Sequence, residues 1–158
     1  MKQFLLKTLC VAGVLFGVNT IHAQCSLVPF GTSNFIQYSL PSEMEIAPNG
    51  KLYTFAYNSD AMAFQLHSFT SGTWSLTATI IGSSNIKPAI AISKSTGKVS
   101  VLIRDNNDGG KAKVYTLVGS SFVAVGGAIT TGSVSGLSIA FDAADNEYIA
   151  YTDIANAS

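Results

Sequence analysis

Asp105-Asn106-Asn107-Asp108-Gly109-Gly110-Lys111 is the most polar stretch of the 158-residue chain. Carboxylate and amide oxygens at alternate positions ahead of a glycine are the materials of a calcium loop. Counted from Asp105, the ligand positions fall on Asp105, Asn107 and Gly109, and the closing acidic position falls on Thr116. Two requirements fail, since Gly109 has no side-chain oxygen and Thr116 no carboxylate. The stretch reads instead as a hairpin turn that uses Asp, Asn and Gly for their backbone freedom. Asp142, Asp145 and Glu147 form a second carboxylate group, and paired carboxylates can do acid–base work. They lie in or beside a turn that reads as solvated, where little would shift their pKa values toward catalysis.

The remaining chemistry-bearing residues are sparse. His67 is the one histidine after His22, and without a second imidazole or a thiol pair it makes no zinc site. No nucleophile-elbow sequence frames a serine. No catalytic residue, no metal and no cofactor is therefore expected. Tyr53, Phe55, Tyr57, Phe64, Phe69, Trp74 and Tyr115 have the faces that stack on sugars, but most sit at apolar strand positions and read as core.

What would position any site is an internal repeat. Asn49-Gly50-Lys51 superposes on Thr96-Gly97-Lys98 at an offset of 47, which lays Leu52 to Tyr57 over Val99 to Arg104. Trp74 superposes on Phe122 at 48, with His67 on Tyr115 and Ile81 on Ile129. Ile139-Ala140-Phe141 follows Ile90-Ala91-Ile92 at 49, and Asp153 follows Asp105 at 48. Each copy divides into strands. The first predicts Met44–Ala47, Lys51–Tyr57, Ala61–Thr70 and Thr73–Ile81. The second predicts Ala89–Ser93, Lys98–Arg104, Ala112–Val118 and Ser121–Ile129. The third predicts Leu137–Phe141 and Glu147–Thr152. Turn signals such as Pro48-Asn49-Gly50, Ser71-Gly72 and Gly119-Ser120 separate them.

Residues 52–57 are apolar on both faces of the strand, Thr54 excepted. A two-layer sandwich would alternate apolar and polar more cleanly. A period of this length and strands buried on both faces suit one four-stranded propeller blade per copy. The fold expected is all-β: a partial β-propeller of about two and a half four-stranded antiparallel blades, preceded by a signal-peptide helix. The blades would span 42–87, 88–136 and 137–158, the last truncated. Gly31-Thr32-Ser33-Asn34-Phe35 echoes Gly82-Ser83-Ser84-Asn85-Ile86, so the lead-in 24–41 reads as the tail of a closing blade.

Residues 1–23 read as a secretory signal peptide. Lys2 charges its start, Thr8 to Val18 is a short apolar run, and Ile21-His22-Ala23 resembles a cleavage site. The run falls short of the ~20 residues that a bilayer requires. Export to the cell exterior or surface follows. Cys10 leaves with the leader and Cys25 stays as a lone cysteine whose partner is expected in missing sequence. Past the leader, seven basic residues face nine acidic ones, a net charge of −2. That balance, without basic clusters, excludes nucleic acid as a partner, and a membrane after cleavage.

A Trp or Phe opening the outer strand, an inner strand, a Gly-Lys turn and a strand ending in Asp together resemble secreted bacterial β-propeller repeats of the kelch-like and sialidase-like group. The resemblance covers Phe35 to Thr152 and implies fold and export rather than chemistry. Ser71-Gly72-Thr73-Trp74 is similar to the tail of the sialidase-type Asp box, but Phe69 stands where that box needs its Asp and Ser71 where it needs its Gly.

The function expected is that of a secreted, non-catalytic propeller module that binds an extracellular glycan, protein or matrix. The alternative is the N-terminal part of a glycoside-processing enzyme whose catalytic residues lie outside this chain. A binding site is expected on the loops joining second to third strands and on those entering each inner strand, because a rigid scaffold holds such loops. The candidates are Asn58, Asp60, Asp105, Asp108, Lys111 and Asp153. Asn58, Asp105 and Asp153 are equivalent across copies, which equally suits turn anchors. Closed propellers use about four to eight blades, so the remaining blades are expected from missing sequence or from other chains.

Overall fold

The computed structural model describes residues 43–154. The expected leader, the cleavage after Ala23, Cys25 and the lead-in 24–41 lie outside the described residues. Ten strands follow one another: β1 (Glu43–Ile46), β2 (Leu52–Asn58), β3 (Ala63–Thr70), β4 (Thr73–Ile81), β5 (Ala89–Ile92), β6 (Val99–Asp105), β7 (Lys111–Val118), β8 (Ser121–Ala124), β9 (Val134–Phe141) and β10 (Glu147–Asp153). Among the described residues the chain is all-β, save for a 3-10 turn over Asn106–Asp108.

Turn chemistry explains why the strands stop where they do. Ser71 and Gly72 both take positive φ, at 52° and 83°, the combination a two-residue hairpin needs to match strand twist. Trp74 then lands opposite Phe69, with ring centroids 5.2 Å apart. Between β1 and β2, Asn49 Oδ1 accepts from the Lys51 backbone N–H while Gly50 N donates to Ala47 O.

The strands form three antiparallel sheets, none of them closed. The first has the order β1-β2-β3-β4, the second β5-β6-β7-β8, and the third pairs β9 with β10. The first two sheets share a register relation: Thr54 lies opposite His67, and Val101, 47 residues on, lies opposite Tyr115.

The sheets pack face to face, β1 against β5, β4 against β8, and β5 against β9. One core lies between the first and second sheets. Tyr53, Phe55, Tyr57, Phe64 and Leu66 meet Ile90, Ile92, Val99, Val101 and Ile103 there. The other core sets Ala89, Ala91, Leu102, Ala112 and Val114 against Val134 and Ile139. Alternation along β6 sends Val101 and Ile103 one way and Leu102 the other, and all three are buried. That explains an apolar run without a polar face. Each such side chain contributes roughly 1.5–3 kcal/mol by leaving water.

Most strand boundaries fall within two residues of those expected, and two differ by more. β8 ends at Ala124 rather than Ile129. Gly126, at φ 73°, and Gly127 break the ladder, although Val125 N and Ile129 N still donate to Val114 O and Ala112 O at 2.9 Å each. β9 begins at Val134, not Leu137. Ser and Gly on both sides of Val134 hide a fully buried position whose N–H donates to Gly110 O.

Candidate functional site

Asn58, Asp105 and Asp153 are the last residues of β2, β6 and β10. The loops that follow Asn58 and Asp105, and Ile154 after Asp153, lie at one end of the stacked sheets. Gly82 N donates to Met62 O at 3.1 Å, and a β-carbon on Gly82 would lie 3.8 Å from Asp105 Oδ1. Asn106 N donates to Ser83 O, Val134 N to Gly110 O, and Ile154 N to Ser133 O. The structure thus places all six expected residues at this end.

Their local roles differ. Asn58 Oδ1 accepts from Asp60 N at 3.0 Å and Ala61 N at 3.1 Å, and its Nδ2 donates to Gln65 Oε1. It closes its own turn. Asp60 is exposed beside it. Asp105 also anchors a turn, its Oδ1 accepting from Asn107 N at 3.0 Å. The second copy adds charge. Lys113 Nζ bridges Asp105 Oδ2 at 2.9 Å and Asp108 Oδ2 at 3.0 Å, and Lys111 Nζ meets Asp108 Oδ1 at 3.0 Å.

These contacts set the titration. Hydrogen bonds from Lys111 and then Lys113 hold the Asp108 carboxyl below the usual carboxylate range. Hydrogen bonds to Asp105 and then Asp108 push Lys113 up to about 12. The Asp108 carboxylate is therefore ionised, and the ammonium groups of Lys111 and Lys113 match it, Lys113 reaching Asp105 as well. Such a row of alternating sign suits hydrogen-bonding and ionic contact with a polar ligand better than proton abstraction, which needs a base poised near the working pH. Among the described residues, no three His, Cys, Asp or Glu side chains gather to hold a metal ion.

Lys113 escaped the sequence reading. The signal was present in the alternation of β7, where Lys111 and Lys113 share one face. The register that pairs Asp105 with Lys111 then brings Lys113 within reach of both acids.

The turn at 142–147 corrects an expectation. It is not simply solvated. Glu147 is only 16% exposed; its Oε2 takes Lys98 Nζ at 2.8 Å and Ser100 Oγ at 3.2 Å, while Oε1 is buried without a partner. The Asp145 carboxylate accepts from the hydroxyls of Ser93 and Ser95, Ser93 first among the causes that lower its pKa. Asp142 accepts from Ala144 N, Asn146 N, Asn146 Nδ2 and Tyr148 OH. Two of the three acids brace the second sheet against the third, and Asp142 closes its own turn.

His67 lies buried on β3 with Nε2 3.4 Å from Gln65 Oε1, filling the strand position that Tyr115 fills one copy on. Burial lowers its pKa from the ordinary 6.5.

Neither models of known protein families nor curated proteins give a match to this chain.

Proposed function

We propose that this chain is a secreted, non-catalytic binding module built from successive β-propeller blades, and that its ligand is an extracellular glycan, protein or matrix component. The observation that carries the reading is the convergence of equivalent strand ends, Asn58, Asp105 and Asp153, on one polar loop face. Repetition gives the blade reading its support: two four-stranded meanders of the same order and a third sheet begin alike and stack in sequence. Export rests on the leader pattern of residues 1–23. The saturated Asp105–Lys113–Asp108–Lys111 row favours binding over turnover.

The test is a glycan array and a panel of chromogenic glycosides applied to the exported protein, with Asp108→Asn/Lys111→Gln as the loop variant. The expected result is binding without turnover, weakened about tenfold by the variant. Turnover lost on a single carboxylate change would install the enzyme alternative. Binding untouched by the loop variant would move the site elsewhere. Mass spectrometry of the exported protein is expected to find its N-terminus near Gln24, and an intact Met1 would overturn export by cleavage.

A further inference from the structure

At the end of the strands opposite the loop face, Lys98 and Ser100 grip a carboxylate. Lys98 Nζ lies 2.8 Å and Ser100 Oγ 3.2 Å from Glu147 Oε2, and the ammonium sits 5.3 Å from the centroid of the Phe141 ring. Lysine and hydroxyl stand two residues apart where the chain enters β6. One copy earlier, Lys51 and Tyr53 occupy the same two positions at the entry to β2. Among the described residues no carboxylate meets them. Glu147 is the first residue of β10, and its counterpart in the second sheet is Val99, the first residue of β6, which is buried in the first core. Among the described residues, Lys51 has no acidic partner and the Tyr53 hydroxyl makes no hydrogen bond; the ammonium rests 5.2 Å from the Tyr53 ring centroid.

A cleft opens at this point. It holds about 250 Å³ between the β1–β2 and β5–β6 turns and is lined by Ala47, Pro48, Asn49, Tyr53, Ser95 and Thr96, with Gly97 closing one side. Its walls are tied down: Lys94 Nζ donates to Ile46 O at 2.8 Å, and Ser93 Oγ accepts from Thr96 N at 3.0 Å. The Asn49 amide nitrogen is available, since only Oδ1 is engaged, by Lys51 N. The volume lies below the ~300 Å³ at which drug-sized pockets begin, and suits one sugar ring.

We infer that this cleft binds a uronic acid unit of an acidic glycan, with Lys51 and the Tyr53 hydroxyl holding its carboxylate as Lys98 and Ser100 hold that of Glu147. Asn49, Ser95 and Thr96 supply amide and hydroxyl groups for the ring hydroxyls. The site lies apart from the loop face and does not depend on it.

The experiment is a titration of the full chain with D-glucuronate and D-galacturonate, read by backbone amide NMR shifts. Glucose and N-acetylglutamate are the comparison ligands. A uronate is expected to bind with Kd of roughly 1 mM, about −4 kcal/mol, shifting Asn49, Tyr53, Ser95 and Gly97. Lys51→Met is expected to weaken it at least tenfold and Tyr53→Phe several-fold, both at unchanged melting temperature, while Asp108→Asn/Lys111→Gln leaves it intact. Equal binding of glucose, or uronate binding indifferent to Lys51→Met, overturns the charge argument. Equal binding of N-acetylglutamate overturns the sugar class. No uronate binding overturns the inference and leaves the loop-face reading standing.

Discussion

Lys98 and Glu147 lie 49 residues apart in sequence, yet their charged groups meet at 2.8 Å across two sheets. Glu147 is mostly buried and Lys98 is 39% exposed on its side chain, so solvent screens the pair only in part. A double-mutant cycle over Lys98→Met and Glu147→Gln is expected to give a coupling of about 1 kcal/mol. Lys98→Met alone should cost more than Glu147→Ala alone, because it strands a mostly buried carboxylate, whereas the ammonium left by Glu147→Ala keeps solvent and the Phe141 ring. Urea melts of the four proteins decide it, and additive effects would show the pair to be idle.

Gly109 and Gly110 are adjacent and both left-handed, at φ 66° and 76°, but they should respond differently to substitution. A β-carbon on Gly109 meets nothing within 4 Å; on Gly110 it would lie 2.5 Å from Ser133 Oγ and 2.7 Å from Arg104 Nε. Gly109→Asn is expected to cost less than about 1 kcal/mol, since Asn tolerates this region. Gly110→Ala is expected to cost about 2–3 kcal/mol, backbone strain and crowding together. Thermal melts showing equal losses would mean that the loop yields freely around residue 110.

His67 gives the fold an acid sensitivity. Its folded pKa lies below the ordinary 6.5 because burial disfavours the imidazolium. Above pH 6.5 the ring is neutral folded and unfolded, and stability is unaffected. As pH falls below 6.5 the unfolded chain takes the proton first, so stability drops until the folded pKa is passed. Tyr, the residue at the same position one copy on, is the natural replacement. His67→Tyr should flatten the loss of melting temperature between pH 7 and 5; an unchanged slope would assign it to other groups.

Lys113 acts at the alkaline end with the opposite sign. Its folded pKa of about 12 exceeds the ordinary 10.5, so its stabilising contribution is complete below pH 10.5 and is lost as pH rises through 12. Lys113→Met is expected to lower the melting temperature at pH 7 by about 4 °C, the shift that ~1 kcal/mol produces in a small domain. The gap to the parent should close toward pH 12. A gap constant across that range would mean that packing of the lysine stem, not its charge, is what matters.

Much of the fold was legible because turns punctuate it. Gly-Lys at 50–51 and 97–98 located the second strand of two sheets, and Ser71-Gly72 located a hairpin, because few residues fit those backbone angles. The Asp105–Asp108 loop was legible as polar, and its end of the molecule followed from the repeat. Lys113 was not, because an ion pair across strands depends on register, which composition does not reveal. Glu147 was misjudged for a related reason. A carboxylate in a turn reads as solvated until the neighbouring sheet is placed over it, and Lys98 and Ser100 come from that sheet. The β8 boundary failed because Val125 and Ile129 keep single hydrogen bonds beyond the break at Gly126-Gly127.

Every ladder among the described residues joins strands consecutive along the chain, and the second sheet is a shared wall with a separate core on each side. Damage should therefore stay in its own compartment. A cavity cut at Phe55 loosens the first chamber, and one cut at Ile139 loosens the second. β5 and β6 communicate between the two, since Ile90, Ile92, Val101 and Ile103 face one chamber and Ala89, Ala91 and Leu102 the other. A strand with sides so divided transmits strain as a party wall transmits sound, so a single overpacked position there should unsettle both neighbours at once.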